Sequence, residues 1–377
     1  MRRTLFDAEH ERFRDTFREF FKEYVVLGRN DPNDDAYANR SLWQEAGKRG
    51  FLGMVVPASF GGDGIDDFRY NMVINEECSR SPKFGLGLVQ HNDVVGPYLL
   101  QLSTEEQRQR WLPGYYSGDI ITALAAGETA GEFRAEAVDT EAEWDGHGWV
   151  LNGTKRSVIN GLDCDLVIVV ARTGRKDSQN DRELTLLVVE ADAPGFCRAP
   201  VERADDPIGV ADLSFADVRI PESNMLGLCG QGQNYLGRNN SRERLSVAVR
   251  KTAAMERHLE EIRSHLSGRD GFETVRDSEQ ELNSTLVELG CRTACVRNMV
   301  DSLVSDLLEG RLTPEAAALV EWWSVDEHLK LVECCNDALS AAGSVPLIPS
   351  VERFPRPSFG ESRSRIPEIL FGVFGRG

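Results

Sequence analysis

The sequence predicts an α+β chain built in three successive parts: helices, then a sheet, then a helical bundle. Three observations carry this expectation. An aromatic stripe at helical spacing stands near the start, short β-branched runs occupy the middle with no helix-length pattern between them, and helical periodicity returns from about residue 230.

Between Asp7 and Val26, residues Phe13, Phe17, Phe20, Phe21 and Tyr24 recur at i, i+4, i+7, i+8 and i+11, the stripe of an amphipathic helix. Further helical patterns cover 41–50, 68–79 and 103–116, broken by the turn-forming run Pro57-Ala58-Ser59-Phe60-Gly61-Gly62-Asp63-Gly64. These make an N-terminal helical domain over 1–118. The runs Trp149–Gly153, Leu166–Ala171 and Leu184–Val189 are strands by composition and bounding turn residues, which places a β domain over 119–229. With no helix between them, the strands are expected to pair antiparallel. The polar run Gly174–Arg182 reads as an exposed hairpin loop. From Gly230 to Gly377 a helical bundle is expected, with Leu245, Val249, Thr252, Met255 and Leu259 on its buried face.

Composition excludes several functions. The 377 residues carry 43 Lys+Arg against 61 Asp+Glu, a net charge of -18 that repels phosphate backbones and anionic lipid. No nucleic-acid or membrane partner is therefore expected. No run approaches the roughly 18 apolar residues needed to cross a bilayer, and a cytoplasmic location is the expectation. The eight cysteines are scattered and read as reduced, mostly buried thiols; the six histidines form no cluster, and no metal site is expected.

The stretch Phe215-Ala216-Asp217-Val218-Arg219-Ile220-Pro221-Glu222-Ser223-Asn224-Met225-Leu226-Gly227, followed by Gly230-Gln231-Gly232, resembles the F-x-D-V-x-V-P-x-x-N-x-L-G-x-x-G-x-G run of the acyl-CoA dehydrogenases. Supporting matches are Leu52-Gly53-Met54-Val55-Val56-Pro57 with Gly61-Gly62, Thr104-Glu105-Glu106-Gln107 with Trp111-Leu112-Pro113, Leu151-Asn152-Gly153-Thr154-Lys155 with Asn160, and Arg269-Asp270-Gly271-Phe272 with Gln280. The resemblance covers the chain from end to end. It implies the family's helical, β and four-helix-bundle domains, with Pro221 and Gly227 shaping the exit from the β domain.

It also implies a chemistry: FAD takes a hydride from Cβ of an acyl thioester while a carboxylate removes the α-proton. One branch of the family carries that base in an E-R pair on the first bundle helix, which Glu243-Arg244 matches. Glu243 is then the catalytic base, and Arg244 orients the acyl or pantetheine chain. On their own the two residues read first as first-turn charges on a solvated helix face. The other branch uses a C-terminal E-G-T-S-E-I segment, here Phe359-Gly360-Glu361-Ser362-Arg363, which leaves Glu361 a reserve candidate.

The cofactor segments depart from the family pattern. Its E-P-x-A-G-S-D loop is Glu128-Thr129-Ala130-Gly131-Glu132 here, and its K-x-W-x-T segment is Lys155-Arg156-Ser157-Val158-Ile159. Gly131, Glu132, Ser157 and Ile159 are thus the implied flavin neighbours. Arg269 matches the arginine that pairs with the cofactor pyrophosphate across a subunit boundary, Phe272 the aromatic beside it, and Ala342 stands in the trans adenine loop. The implied partners are an acyl-CoA or acyl carrier protein substrate, an electron-transfer acceptor protein, and further subunits completing a homo- or heterotetramer. The altered loops keep three alternatives open: a flavin-poor subunit of a heterotetramer, an oxidase or monooxygenase, and a non-redox enzyme.

Overall fold

In the computed structural model, the residues described are 3–26, 40–79, 87–128, 133, 135–173, 183–201, 209–267 and 276–341. Helix α1 (Ala8–Phe21) begins where Asp7 accepts the backbone N–H groups of Glu9 and His10, and runs on through a π turn over 22–26. Helices α2 (Arg40–Lys48) and α3 (Phe68–Cys78) follow. A second π turn, Gln90–Val95, leads directly into α4 (Gly96–Leu102). Helix α5 (Glu105–Ser117) opens on a capping box in which Thr104 and Gln107 satisfy each other's backbone N–H.

Eight strands come next: β1 (Thr122–Ala125), β2 (Glu141–Trp144), β3 (Gly148–Val158), β4 (Leu166–Arg172), β5 (Leu184–Glu190), β6 (Phe196–Pro200), β7 (Ala211–Pro221) and β8 (Met225–Leu226). Their order is β6-β7-β3-β2-β4-β5-β8, with β1 paired to β4. The sheet is mixed, which corrects the antiparallel expectation: β1 and β2 both pair parallel with β4. The cause is the β2–β3 hairpin, which lies between β1 and β4 in sequence and returns the chain to its starting direction.

Strand β4 is apolar from Leu166 to Ala171 because both of its faces are covered. Leu166, Ile168 and Val170 meet Val95, Tyr98, Leu99 and Trp111 of the helical domain. Val167, Val169 and Ala171 pack toward Leu151, Leu213, Phe215 and Val218 of β3 and β7. Pro221 caps the short helical turn 222–224, and a Cβ on Gly227 would stand 2.6 Å from the Tyr235 ring, so the domain exit is shaped by both.

Three long helices complete the described chain: α6 (Gly232–Ser267), α7 (Arg276–Leu308) and α8 (Pro314–Ala341). Leu245, Val249, Met255 and Leu259 of α6 meet Leu289, Val296 and Val300 of α7 and Leu331, Val332 and Cys335 of α8. Phe68 and Met72 join this cluster, so α3 ties the N-terminal helices to the bundle. The remainder of the implied four-helix bundle, from 342 onward, lies outside the described residues, as does the loop 174–182. All eight cysteines are free, and the expectation of mostly buried thiols is corrected: Cys78, Cys164 and Cys335 are buried, whereas Cys197, Cys229, Cys291, Cys295 and Cys334 are exposed.

Candidate active site

Helix α6 starts at Gly232, so Glu243 and Arg244 stand three turns inside it rather than in a solvated first turn. Both are buried, at 3% and 8% exposure. Burial pushes the Glu243 carboxyl well above its ordinary pKa, the nearby Glu321 adds to the rise, and Arg250 and Arg244 oppose it. Its Oε1 has no hydrogen-bond partner. Arg244 faces α8, where its Nε lies 3.4 Å from Glu321 Oε2.

From the helical domain, α4 brings Tyr98 to the same place. Its hydroxyl is buried and without a hydrogen-bond partner, and burial followed by the Glu243 charge raises its pKa. Glu243 Oε1 and Tyr98 Oη are thus two buried polar atoms without a hydrogen-bond partner, near enough for the Glu243 charge to act on the tyrosine.

Beneath this pair lies the π turn 90–95, whose extra residue per turn turns four successive polar side chains, Gln90, His91, Asn92 and Asp93, into buried positions. Asn92 accepts the Gly53 N–H at 2.9 Å and donates to Phe51 O at 2.8 Å. His91 Nε2 lies 3.0 Å from Tyr115 O, so Nε2 carries the hydrogen and Nδ1 accepts from Thr122 Oγ1 at 2.9 Å. Burial lowers this imidazole to about 3, which keeps it neutral. Asp93 accepts from Asn71, Asn75 and Ser246.

The other expected residues come together at the end of β3. Ile159 is buried, and Ser157 holds a left-handed φ of 51° with its N–H donated to Asp212 Oδ1 at 2.9 Å. Asn160, at φ 61°, donates from Nδ2 to both Gly87 O and Thr122 O at 3.0 Å. Thr122 in turn meets His91, so the end of β3, β1 and the π turn form one bonded path that reaches α6 through Asp93 and Ser246. Lys155, fully buried, donates to Ala126 O at 3.0 Å and Glu128 Oε1 at 2.7 Å, fixing the entry to the loop that contains Gly131 and Glu132.

For a flat conjugated ring this region fits in its apolar part: Ile159 offers a buried hydrocarbon side chain, and Ser157 is a small residue where the family pattern has an indole. Gly131, Glu132, Arg269, Phe272, Ala342 and Glu361 lie outside the described residues. Among the described residues no group of three or more His, Cys, Asp and Glu is arranged to hold a metal ion. Asp93 and Tyr98 were not singled out by sequence reasoning. The available signal was a run of four polar residues, 90–93, enclosed by Leu88-Val89 and Val94-Val95.

The comparisons bear on the whole chain. Family models described as the N-terminal, middle and C-terminal domains of acyl-CoA dehydrogenase match residues 7–119, 123–222 and 230–358. The long-chain specific acyl-CoA dehydrogenase, mitochondrial, of Sus scrofa is 33% identical over 327 residues, 85% of this chain and 75% of that protein. The isovaleryl-CoA dehydrogenase, mitochondrial, of Pongo abelii is 26% identical over 84% of this chain and 76% of its own. Among solved structures, an acyl-CoA dehydrogenase from Geobacillus kaustophilus superposes with a TM-score of 0.82 at 29% identity, covering 98% of this chain and 94% of that one. With all three domains matched in order, the chain belongs to the acyl-CoA dehydrogenase family.

Proposed function

We propose that this protein is an FAD-dependent oxidoreductase that dehydrogenates the Cα–Cβ bond of an acyl thioester, with Glu243 as the base. The observation that carries this reading is the buried Glu243 carboxyl with an unpartnered Oε1, on the helix where one branch of the family places its base. Bound FAD supplies the two-electron acceptor for the β-hydride.

The chain's own residues do the rest. Water is excluded around Glu243, which raises its affinity for a proton toward that needed to remove one from carbon. Only the ionised form accepts that proton, so the rate rises with pH through the raised range of this carboxyl. Arg244 and Tyr98 flank the base, Arg244 orienting the acyl or pantetheine chain and Tyr98 offering its free hydroxyl to the bound thioester. Ser157 and Ile159, with Gly131 and Glu132, form the flavin side, and Arg269, Phe272 and Ala342 the pyrophosphate and adenine contacts between subunits of a tetramer. Electrons leave to an electron-transfer protein. The eight unpaired cysteines support a reducing, cytoplasmic setting, and no helix among the described residues is long and apolar enough to cross a membrane.

The test is anaerobic flavin reduction by a panel of acyl-CoA thioesters in the Glu243→Gln variant. A loss of roughly 10²- to 10⁴-fold with FAD content unchanged is expected for removal of a general base. Reduction at the wild-type rate refutes the assignment.

A further inference from the structure

Helix α6 carries Glu243, Ser246 and Arg250 at spacings of three and four, so the three side chains share one face. Ser246 is the middle rung, and Asp93 of the π turn hangs on it. The Ser246 hydroxyl donates to Asp93 Oδ2 at 2.7 Å, Asn75 Nδ2 donates to the same oxygen at 2.6 Å, and Asn71 Nδ2 donates to Oδ1. Three donors converge on a residue 1% exposed, the surroundings of a carboxylate anion. Arg250, one turn further along, donates to Asn75 Oδ1 at 3.1 Å, so Asn75 grips the anion with one end of its amide and the guanidinium with the other.

The charged and titratable groups around Glu243 are Glu321 from α8, Arg244 and Arg250 from its own helix, Asp93 from the π turn and Tyr98 from α4. Those around Asp93 are Cys78 of α3, Tyr115 of α5, Arg250 and Glu243. Burial and then Glu321 raise the proton affinity of Glu243, Arg250 and Arg244 favour its ionised form, and Asp93 opposes these two. A buried guanidinium always carries its charge, and its field in a water-poor interior is strong. Left uncompensated, it would offset part of the rise that burial gives Glu243.

We infer that Asp93 is a positioning residue for Glu243: bonded to Ser246 on the base's own helix and linked to Arg250 through Asn75, its carboxylate offsets the field of that guanidinium at Glu243. The inference rests on the reading of Glu243 as the base. Glu243, Ser246 and Asp93 come from two segments 150 residues apart, joined by a hydrogen bond whose partners are separated by 153 positions. The arrangement therefore depends on the N-terminal domain seating its π turn against α6.

The experiment uses full-length protein carrying FAD, in four forms: wild type, Asp93→Asn, Arg250→Met and the double variant. Two quantities are read. One is the pH midpoint of the protonated-carboxyl infrared band of Glu243 without substrate, identified by its disappearance in Glu243→Gln. The other is the acid limb of the pH profile for flavin reduction by an acyl-CoA. Asp93→Asn is expected to move both midpoints down by on the order of one pH unit, Arg250→Met to move both up, and the double variant to return toward wild type. Midpoints that stay in place in the single variants, or single-variant movements that do not compensate in the double, overturn the inference. Should Asp93→Asn fail to fold, Arg250→Met decides alone: a midpoint that does not rise overturns it. The two readings fail separately. Infrared midpoints that move as expected while Glu243→Gln still reduces flavin would sink the base assignment and leave the charge compensation standing.

Discussion

Replacing Lys155 by Met tests how the segment that follows β1 is held. The ammonium group is fully buried, bonded to Ala126 O and Glu128 Oε1, and Glu128 is itself anchored by the N–H groups of Asp139 at 2.7 Å and Thr140 at 2.9 Å. Burial lowers Lys155 from 10.5 to about 8 despite the neighbouring carboxylate. That drop disfavours the charged form by about 3 kcal/mol, at about 1.4 kcal/mol per pH unit. At pH 7 the lysine is protonated in both folded and unfolded chains, so the whole penalty is present there. Between pH 8 and 10.5 the unfolded chain holds a proton the folded chain has released, and this group's contribution to stability therefore rises with pH across that window. The Met variant removes that penalty but strands Glu128, and the net cost of deleting one partner of a buried pair is about 3–5 kcal/mol, so destabilisation wins. Urea unfolding followed by circular dichroism at pH 7 should show a loss of about 3 kcal/mol or more, and the alkaline rise of the wild type should be absent from the variant. The variant should also retain less FAD, since Lys155 fixes the strand that ends at Ser157 and Ile159. A loss under about 1 kcal/mol, or an identical alkaline rise in both proteins, would show that the pair does not hold this segment.

Tyr98→Phe removes a buried hydroxyl that has no hydrogen-bond partner, so its melting temperature should equal or exceed that of the wild type. Binding of an acyl thioester should weaken about tenfold, measured by titration against the flavin spectrum; unchanged binding with a lowered melting point would contradict the placement. His258 and His328 stack at 5.4 Å between α6 and α8, and burial lowers His258 to about 4 and His328 well below its ordinary value. Both stay neutral in the folded chain while the unfolded chain protonates them near pH 6.5, so stability falls as pH drops from about 6.5 toward 4. His328→Leu should flatten that acid slope by up to about 1.4 kcal/mol per pH unit in chemical denaturation, and an unchanged slope would locate the acid sensitivity elsewhere.

The layered order of this fold was legible because each layer has its own period. Phe17, Phe20 and Phe21 of α1 and the Leu245–Leu259 series of α6 are buried where helical spacing puts them. The parallel pairing of β1 was not legible, since a four-residue strand, Thr122–Ala125, carries too little pattern to report its direction. Glu243 was found through family resemblance, and its environment could not have been: Tyr98, Asp93 and Glu321 reach it from elements 145, 150 and 78 positions away in the chain. The π turn escaped because four polar residues in a row match neither a helix stripe nor a strand alternation. Only the packing of Asn71, Asn75 and Ser246 shows why Asp93 is buried.

Asn160 has a consequence of another kind. Its backbone occupies the left-handed region, where glycine is easiest and asparagine is among the few side chains tolerated. Its amide joins Gly87 ahead of the π turn to Thr122 of β1, spanning two domains from a third segment. Glycine would satisfy the backbone and release both carbonyls; glutamine would keep an amide but resist the dihedral and overshoot. Two independent demands thus intersect in a single residue type, and the chain has no one-step route away from it. The seam between helical domain and sheet is therefore pinned at a single side chain, which ties the end of β3 to the segment ahead of the π turn and to β1 at once.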